Sequence, residues 1–168
     1  MVDVESDGPI PGDYSMIAIG AIVVETALDR TFRATLRPIS ERWIPDALAV
    51  SGFTRVETLA FSEPKAVMES FADWLKSVAG DNPRFISDNS GYDWQFVNWY
   101  FHHFLGANPF GWSSMSLGSL YAGLSKSMRG SFKHLRRTVH SHDPLDDARG
   151  NAEALLTMIE TMGLHAKL

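Results

Sequence analysis

The opening segment of the chain constrains the fold most strongly, because two carboxylates alternate there with two valines. Val2 and Val4 flank Asp3, and Glu5 follows. A period of two is typical of a β-strand, so Asp3 and Glu5 share one face while the valines face a core. Neighbouring carboxylates repel each other, and their burial is costly unless a cation neutralises them. Such oxygens suit Mg²⁺ or Mn²⁺; the alternative is an exposed edge strand whose acids bind no ion.

Composition limits the possible classes of protein. The chain has 168 residues, 45% of them hydrophobic, which fits one domain with a substantial core. It contains no cysteine, so disulfides and thiolate metal sites are excluded. No apolar run approaches the ~20 residues that span a bilayer, and we expect a cytoplasmic protein that does not bind membranes. The net charge of −5 argues against non-specific coating of nucleic acid, although a local basic patch remains compatible with a nuclease.

The hydrophobic pattern predicts an α/β layer fold with a mixed sheet. An apolar, Ile- and Val-rich run predicts a strand buried on both faces, and the next strand alternates and is half exposed. Ser62 is expected to cap a helix with a clear apolar stripe, which ends before Gly80. The predicted strands cover residues 1–5, 16–25, 31–37 and 84–87, and the predicted helices cover residues 45–50, 63–79, 93–105, 115–126 and 146–162.

Two further segments supply acids at the starts of helices. Asp93 follows a predicted strand and opens a helix, a position that dipole compensation alone would also explain. Asp143 precedes Pro144 and is predicted to cap the last helix. Asp147 lies one turn further, where its side chain can project toward the sheet, and His142 lies just upstream.

These residues suit metal-assisted phosphodiester hydrolysis. Two divalent ions ~3.5–4 Å apart can stabilise both the attacking and the leaving oxygen of an in-line displacement. In this hypothesis Asp3 bridges the ions, Glu5 and Asp147 hold the first, and Asp93 supports the second. A neutral histidine with a pKa near ~6.5 is a suitable general base, which assigns that role to His142.

The ordered motifs resemble the DEDDh 3′–5′ exonuclease superfamily. They are Asp3-x-Glu5, Asn89-x-x-Tyr92-Asp93 and His142-x-x-x-x-Asp147. The similarity covers nearly the whole chain and is closest to small single-domain bacterial 3′–5′ exoribonucleases. It implies a ribonuclease-H-like fold, with a mixed five-stranded sheet of order 3-2-1-4-5 flanked by helices, and one exonuclease domain over residues 1–168. It also implies two Mg²⁺ ions, with Mn²⁺ as a substitute, and a homodimer that removes nucleotides from single-stranded 3′ ends, with RNA preferred over DNA.

The chain departs from the family pattern near the first strand and the final helix. Ser6 and Asp7 follow the first-strand glutamate, where the family often has threonines. Asp7 is expected to lie near the entering phosphates and to weaken their binding or alter substrate choice. Pro144 and Asp88 replace a usual alanine and a frequent histidine. None of these changes removes a catalytic group.

A basic segment and several polar residues are candidates for substrate contacts. The segment contains Lys126, Arg129, Lys133, Arg136 and Arg137 without an acid, which suits a phosphate-binding track or an ordinary solvated face. Ile10 is expected to pack against the terminal base. The predicted substrate-binding residues are Ser6, Ile10, Asn89, Lys133 and Arg137. His140 is the nearest rival base, although its spacing from Asp147 does not fit the family.

Other functions remain open at this point. A 3′–5′ exodeoxyribonuclease of proofreading type is the main rival, because sequence does not reveal contacts to the ribose 2′-hydroxyl. An inactive nucleic-acid-binding relative would have no need for four clustered acids. A structural Ca²⁺ site is disfavoured because the acids come from distant segments rather than one loop.

Overall fold

A computed structural model of the protein describes residues 1–165; residues 166–168 of the predicted domain lie outside the described residues. The strands are β1 (Val2–Ser6), β2 (Met16–Ile22), β3 (Thr31–Thr35), β4 (Phe85–Ser87) and β5 (Ser114–Ser116). The helices are α1 (Pro45–Val50), α2 (Arg55–Thr58), α3 (Pro64–Ala79), α4 (Ser90–Leu105), α5 (Leu117–Ser125) and α6 (Pro144–Thr161). The mixed α/β class is therefore confirmed.

Strands β1 to β3 form an antiparallel sheet in the order β1-β2-β3. All seven residues of β2 are buried, as its continuous apolar sequence predicts. Asp3 pairs with Gly20, so both residues face the same side of the sheet. Val2 and Val4 face the opposite side and pack in a core with α3 and α4. The predicted division of β1 into an acidic and an apolar face is thus confirmed.

The predicted continuous five-stranded sheet is not formed among the described residues. Strands β4 and β5 pair in parallel as a separate ladder, and no ladder joins β4 to β1. The runs 3-2-1 and 4-5 of the predicted order are present, but the junction between them is open. One reason is chemical: the backbone N–H of Val4 donates to the Asp93 carboxylate (3.3 Å) instead of to a neighbouring strand.

Helices cover the sheet on both faces. Helices α3 and α4 bury an aromatic core that includes Phe71, Phe96 and Tyr100, whereas α6 packs across β2 on the acidic side through Ala148 and Ala152. The predicted Asp143 cap of α6 is confirmed by its bonds from Leu145 N (3.0 Å) and Asp146 N (3.4 Å).

Several element boundaries were wrong. Strands β2 and β3 end at Ile22 and Thr35 rather than at residues 25 and 37. Helix α3 begins after Glu63 rather than Ser62, because Pro64 occupies its first turn and the Ser62 carbonyl accepts the Arg37 amide (2.8 Å). Helix α4 begins one turn earlier than predicted. The helix predicted over residues 115–126 is preceded by β5, which pairs with β4 and includes Met115. Within residues 1–165, no helix combines the length and apolar character needed to cross a membrane.

Candidate active site

The acidic face of β1 meets the first turn of α6. One carboxylate oxygen each from Asp3, Glu5 and Asp147 lies within 4.8 Å of the other two. Strand alternation places the first two acids side by side, and the α6 cap places Asp147 one turn beyond Asp143. Residues more than 140 positions apart in sequence therefore form one acidic cluster, defined here by Asp3, Glu5 and Asp147.

The approach of α6 depends on a glycine opposite Asp3. A Cβ atom on Gly20 would lie 2.3 Å from Leu145 N and from the Pro144 carbonyl carbon. These distances are far below van der Waals contact, so only glycine lets the α6 N-terminus pack directly on β2. The same contact brings Asp147 to Asp3.

An ion pair holds the start of α6 from the other side. Arg33 of β3 contacts Asp143 Oδ2 through its Nη2 (2.5 Å) and Nε (3.0 Å) atoms. Alternation in β3 puts Arg33 on the face away from the Phe32 core, which is where α6 lies. Sequence analysis did not single out Arg33. The signal that could have identified it is the alternation of β3, which places Arg33 on the face away from Phe32.

The loop before α6 folds onto Asp147. Asp147 Oδ1 accepts the Ser141 N–H (3.1 Å), and its Oδ2 accepts the His142 N–H (3.1 Å). His140 Nδ1 lies 2.7 Å from Asp147 Oδ1. Asp147 is almost fully buried, so these contacts set the orientation of its carboxylate.

Two histidines, rather than one, lie beside the acidic cluster. Ring nitrogens of His140 and His142 and an Asp147 oxygen all lie within 4.8 Å of one another, and the two rings meet edge to face at 4.2 Å. Both side chains are exposed. The prediction ranked His140 below His142 because of its spacing from Asp147, but the backbone of His142 is left-handed (φ 60°), and both rings reach Asp147.

Asp93 lies next to the cluster but outside it. Its side chain is buried, and Oδ1 accepts the Val4 N–H, which ties α4 to β1 between Asp3 and Glu5. Asp93 is therefore adjacent to the acidic face, although it is not one of the three acids whose oxygens lie within 4.8 Å of one another.

In the absence of a cation, burial and mutual repulsion favour the protonated forms of the acids. Burial, followed by repulsion from Asp147 and Asp93, raises the pKa of Glu5 to about 8. Burial raises the pKa of Asp93 to about 7. The pKa of Asp3 is raised well above its usual value by burial and by the charges of Asp93 and Glu5. A divalent ion would remove this repulsion, and the carboxylate donor set fits Mg²⁺ or Mn²⁺.

The five predicted substrate-binding residues have different environments. Ser6 is buried, and its Oγ contacts Tyr92 Oη (2.5 Å) and the Gly8 carbonyl (2.6 Å), so it braces β1 against α4 rather than facing substrate. Ile10 is 47% exposed in the loop after β1. Asn89, at the α4 N-terminus, and Lys133 and Arg137, near the loop to α6, are also exposed.

Two charged residues assigned to the substrate side are instead structural. Asp7 is fully buried, pairs with Arg55 (2.9 Å) and accepts the Ser15 N–H (2.6 Å), so it does not meet entering phosphates. The Arg136 side chain is only 7% exposed and pairs with Asp88 (2.9 Å). Neither partner was evident from sequence, because each lies 48 residues away.

A separate apolar cavity of about 520 Å³ lies at the opposite end of β1. Val2, Ile22, Ile86 and Leu155 are among its lining residues, and none of the lining residues carries a carboxylate. The acids that could hold a metal ion therefore lie in the acidic cluster and not in this cavity.

Comparison with known proteins agrees with this geometry. No protein-family model matches the chain. The chain is 38% identical over 181 residues to the 3′-5′ DNA exonuclease Cap18 of Escherichia coli, an alignment covering 99% of this chain and 94% of that relative.

Solved structures share the fold at lower identity. Cell-death related nuclease 4 matches with a TM-score of 0.75 and 15% identity over 95% of this chain and 62% of its own. Exonuclease X, solved with 5′ overhanging duplex DNA, matches with a TM-score of 0.68 and 18% identity over 98% and 93% of the two chains. E. coli Exonuclease I, solved with a dT13 oligonucleotide, has a TM-score of 0.71 at 17% identity over 96% of this chain, which spans only 40% of that enzyme.

Fold and relative together define the class of protein as a 3′–5′ exonuclease of the DEDD superfamily, a hydrolase of phosphodiester bonds. Both the predicted superfamily and the predicted enzyme class are confirmed. Within that superfamily, the chain belongs to the family of the 3′-5′ DNA exonuclease Cap18.

Proposed function

We propose that the protein removes nucleotides from the 3′ ends of single-stranded DNA with the help of two divalent cations. The acidic cluster carries this proposal, since three carboxylates within 4.8 Å need a cation to coexist in ionised form. The chain is 38% identical to a relative named as a DNA exonuclease, and this similarity supports DNA as the substrate.

The catalytic roles follow from the chemistry of the donors. Asp3, Glu5 and Asp147 would hold the cations, with Asp93 supporting them from α4. When bound, such ions would stabilise the charge that develops on the phosphate and help to activate the attacking water. The protein itself supplies preorganisation, because the β1 ladder, Gly20 and the α6 cap fix the acids before substrate binds.

We assign the general base to His142. Its imidazole accepts and donates no hydrogen bond among the described residues, so a ring nitrogen is free to take a proton from the attacking water. His140, in contrast, uses Nδ1 to contact Asp147. We therefore treat His140 as a residue that positions Asp147 and the loop.

Substrate contacts are proposed for four of the five predicted residues. Ile10, which is exposed in the loop after β1, would pack against the terminal base, and Asn89, at the α4 N-terminus, would contact the terminal nucleotide. Lys133 and Arg137 are exposed and suit contacts with phosphates that follow the terminal nucleotide. Ser6 is excluded because its hydroxyl is buried and already bonded.

RNA is the second candidate substrate. The observation in its favour is the likeness in fold to a 3′-exonuclease solved in 3′-end specific recognition of a histone mRNA stem-loop, with a TM-score of 0.75 at 16% identity. The preference for RNA, the homodimer and the cytoplasmic location stay predictions from the sequence.

The experiment that tests this proposal uses matched DNA and RNA single strands of one sequence, labelled at either end. With Mg²⁺, a 5′-labelled DNA strand should shorten in a ladder, while a 3′-labelled strand should release its label as a mononucleotide at once. EDTA and Asp147→Asn should abolish both results. A protein that degrades RNA faster than DNA would favour the second candidate, and release of a 5′-terminal mononucleotide would contradict the polarity.

A further inference from the structure

We infer that the outer face of α4 is a stacking surface for the part of a single DNA strand that lies 5′ of the acidic cluster. This aromatic groove is lined by Pro11, Trp94, Gln95, Asn98, Trp99, His102 and His103. It is open and has a volume of about 630 Å³, within the ~300–1,000 Å³ range of ligand clefts. The inference rests on the proposed function, because it names where that substrate continues beyond the catalytic site.

Flat rings are presented in pairs along this face. Trp99 and His103, one helical turn apart, stack with centroids 4.3 Å apart and an interplanar angle of 11°. His102 stacks on Trp112 of the following loop at 6.0 Å and 29°. Trp112 is 90% exposed. Because every base has a π-face, such rings bind single strands with little regard to sequence.

The groove is continuous with the segment that leaves the catalytic strand. Gln95 Nε2 donates to the Pro9 carbonyl (3.0 Å), which fixes the loop after β1 on α4. Gly12 packs so closely on Trp99 that a Cβ atom on Gly12 would lie 3.3 Å from Trp99 Cζ2. The φ of Gly12 is 91°, a backbone conformation that also favours glycine. Asp93 and Gln95 face opposite sides of α4. A strand leaving the acids therefore reaches the groove by passing over this loop, where Ile10 is exposed.

The groove carries no negative charge that would repel a polyanion. None of the residues that line the groove is acidic, although the chain as a whole has a net charge of −5. Asp13, the acid of the adjoining loop, is paired with Arg42 (2.9 Å). The amides of Gln95 and Asn98 and the imidazoles of His102 and His103 alternate with the rings and offer hydrogen-bond donors to phosphates or base edges.

Composition distinguishes this face from a protein-docking surface. The fully buried core of a protein–protein interface is more apolar than the rest of the surface, whereas here an amide or imidazole adjoins each indole. A single strand of DNA uses both kinds of group, the bases on the rings and the backbone on the donors.

The test compares a long substrate with one too small to reach the groove. The long substrate is an oligothymidylate of about 20 nucleotides, more than one typical single-strand site. The small one is the 4-nitrophenyl ester of thymidine 5′-monophosphate, which occupies the catalytic site alone. Variants are Trp99→Ala, Trp112→Ala and His103→Ala, with Val56→Ala as a control because Val56 is 78% exposed on α2.

Trp99→Ala and Trp112→Ala are each expected to raise KM for the oligonucleotide about 10-fold, the usual scale for one lost stacking contact, without changing its kcat. Hydrolysis of the nitrophenyl ester should be unchanged, and Val56→Ala should match wild type on both substrates. An unchanged KM for the oligonucleotide in both tryptophan variants would overturn the inference. Trp112→Ala and His103→Ala keep it testable if Trp99→Ala fails to fold, since both residues are exposed.

Failure of the proposed function would have a different signature. In that case wild type would hydrolyse neither substrate. The groove is then tested by fluorescence anisotropy of the labelled oligonucleotide in EDTA, where wild type should bind about 10-fold more tightly than Trp112→Ala. Equal binding by the two proteins would overturn the inference independently of catalysis.

Discussion

His140 Nδ1 lies 2.7 Å from Oδ1 of Asp147, whereas the His142 ring, whose centroid is 4.2 Å from that of the His140 ring, makes no hydrogen bond among residues 1–165. The two histidines therefore occupy different positions relative to the same carboxylate. One is bound to an acid of the cluster, and the other is free to exchange a proton. This difference leads to a prediction that separates them.

His142→Ala should slow hydrolysis by about 10²–10⁴-fold, the usual contribution of a general base. His140→Ala should have a smaller effect, because the Ser141 and His142 N–H groups still hold Asp147. Single-turnover rates on labelled DNA measure both. Wild-type rates in His142→Ala, or an equal loss in His140→Ala, would mean that the base is assigned to the wrong histidine.

The raised pKa values predict how stability depends on pH without a cation. Glu5 and Asp93 have folded pKa values of about 8 and about 7, above their ordinary values, so folding favours their protonated forms. Their contribution to stability is complete below their unfolded pKa values and is lost as the pH rises through 7 and 8. In EDTA, the midpoint temperature of thermal unfolding should therefore decrease as the pH is raised from 6 to 9.

The matching controls use Mg²⁺ and two substitutions. Mg²⁺ should raise the midpoint more at pH 9 than at pH 6, since at low pH it must displace protons. Glu5→Gln should reduce the pH dependence, whereas Asp81→Asn, an exposed acid after α3, should not. A midpoint in EDTA that rises from pH 6 to pH 9 would show that the acids are not held as described.

Gly20→Ala should displace the start of α6 from β2, because its new methyl group would overlap Pro144 and Leu145. We expect a loss of about 1–3 kcal/mol in the free energy of unfolding. We also expect about a 10²-fold loss of activity, since Asp147 moves relative to Asp3. Gly123→Ala is the control: nothing lies within 4 Å of its added Cβ, and alanine favours helix α5. Wild-type activity in Gly20→Ala would contradict this account.

Arg55→Ala should leave Asp7 buried without its charged partner. Breaking such a pair costs about 3–5 kcal/mol in the free energy of unfolding, measured by urea denaturation. Arg42→Ala removes an exposed pair with Asp13 and should cost less than about 1 kcal/mol. A similar loss in the free energy of unfolding for the two variants would show that the buried pair of Asp7 and Arg55 stabilises the fold no more than an exposed pair does.

Much of the site could be predicted because it depends on local patterns. Alternation in β1 places Asp3 and Glu5 together, and the Asp143-Pro144 start of α6 determines where Asp147 points. The parts that were wrong depend on contacts between distant residues. Whether Arg136 binds phosphate or Asp88 is decided by a partner 48 positions away, and the same holds for Asp7 and Arg55.

The hydrophobic pattern of the sequence also failed to predict short elements. Strand β5 has three residues, Ser-Met-Ser, which are too few to show alternation, and its pairing with β4 alone defines it. The α4 side chains Phe96 and Tyr100 are fully buried in the core. Trp99 lies on the outer face of the same helix, where its stacking partner His103 is exposed.

The most direct test of the central claim is a calorimetric titration of Mn²⁺ into wild type, Asp3→Asn and Asp147→Asn, with nuclease activity measured on the same samples. The account predicts two binding events in wild type, the loss of at least one in each variant, and a parallel loss of activity. His142→Ala should keep both binding events while losing activity. Unchanged titrations in Asp3→Asn and Asp147→Asn would contradict the assignment of these carboxylates as the metal ligands.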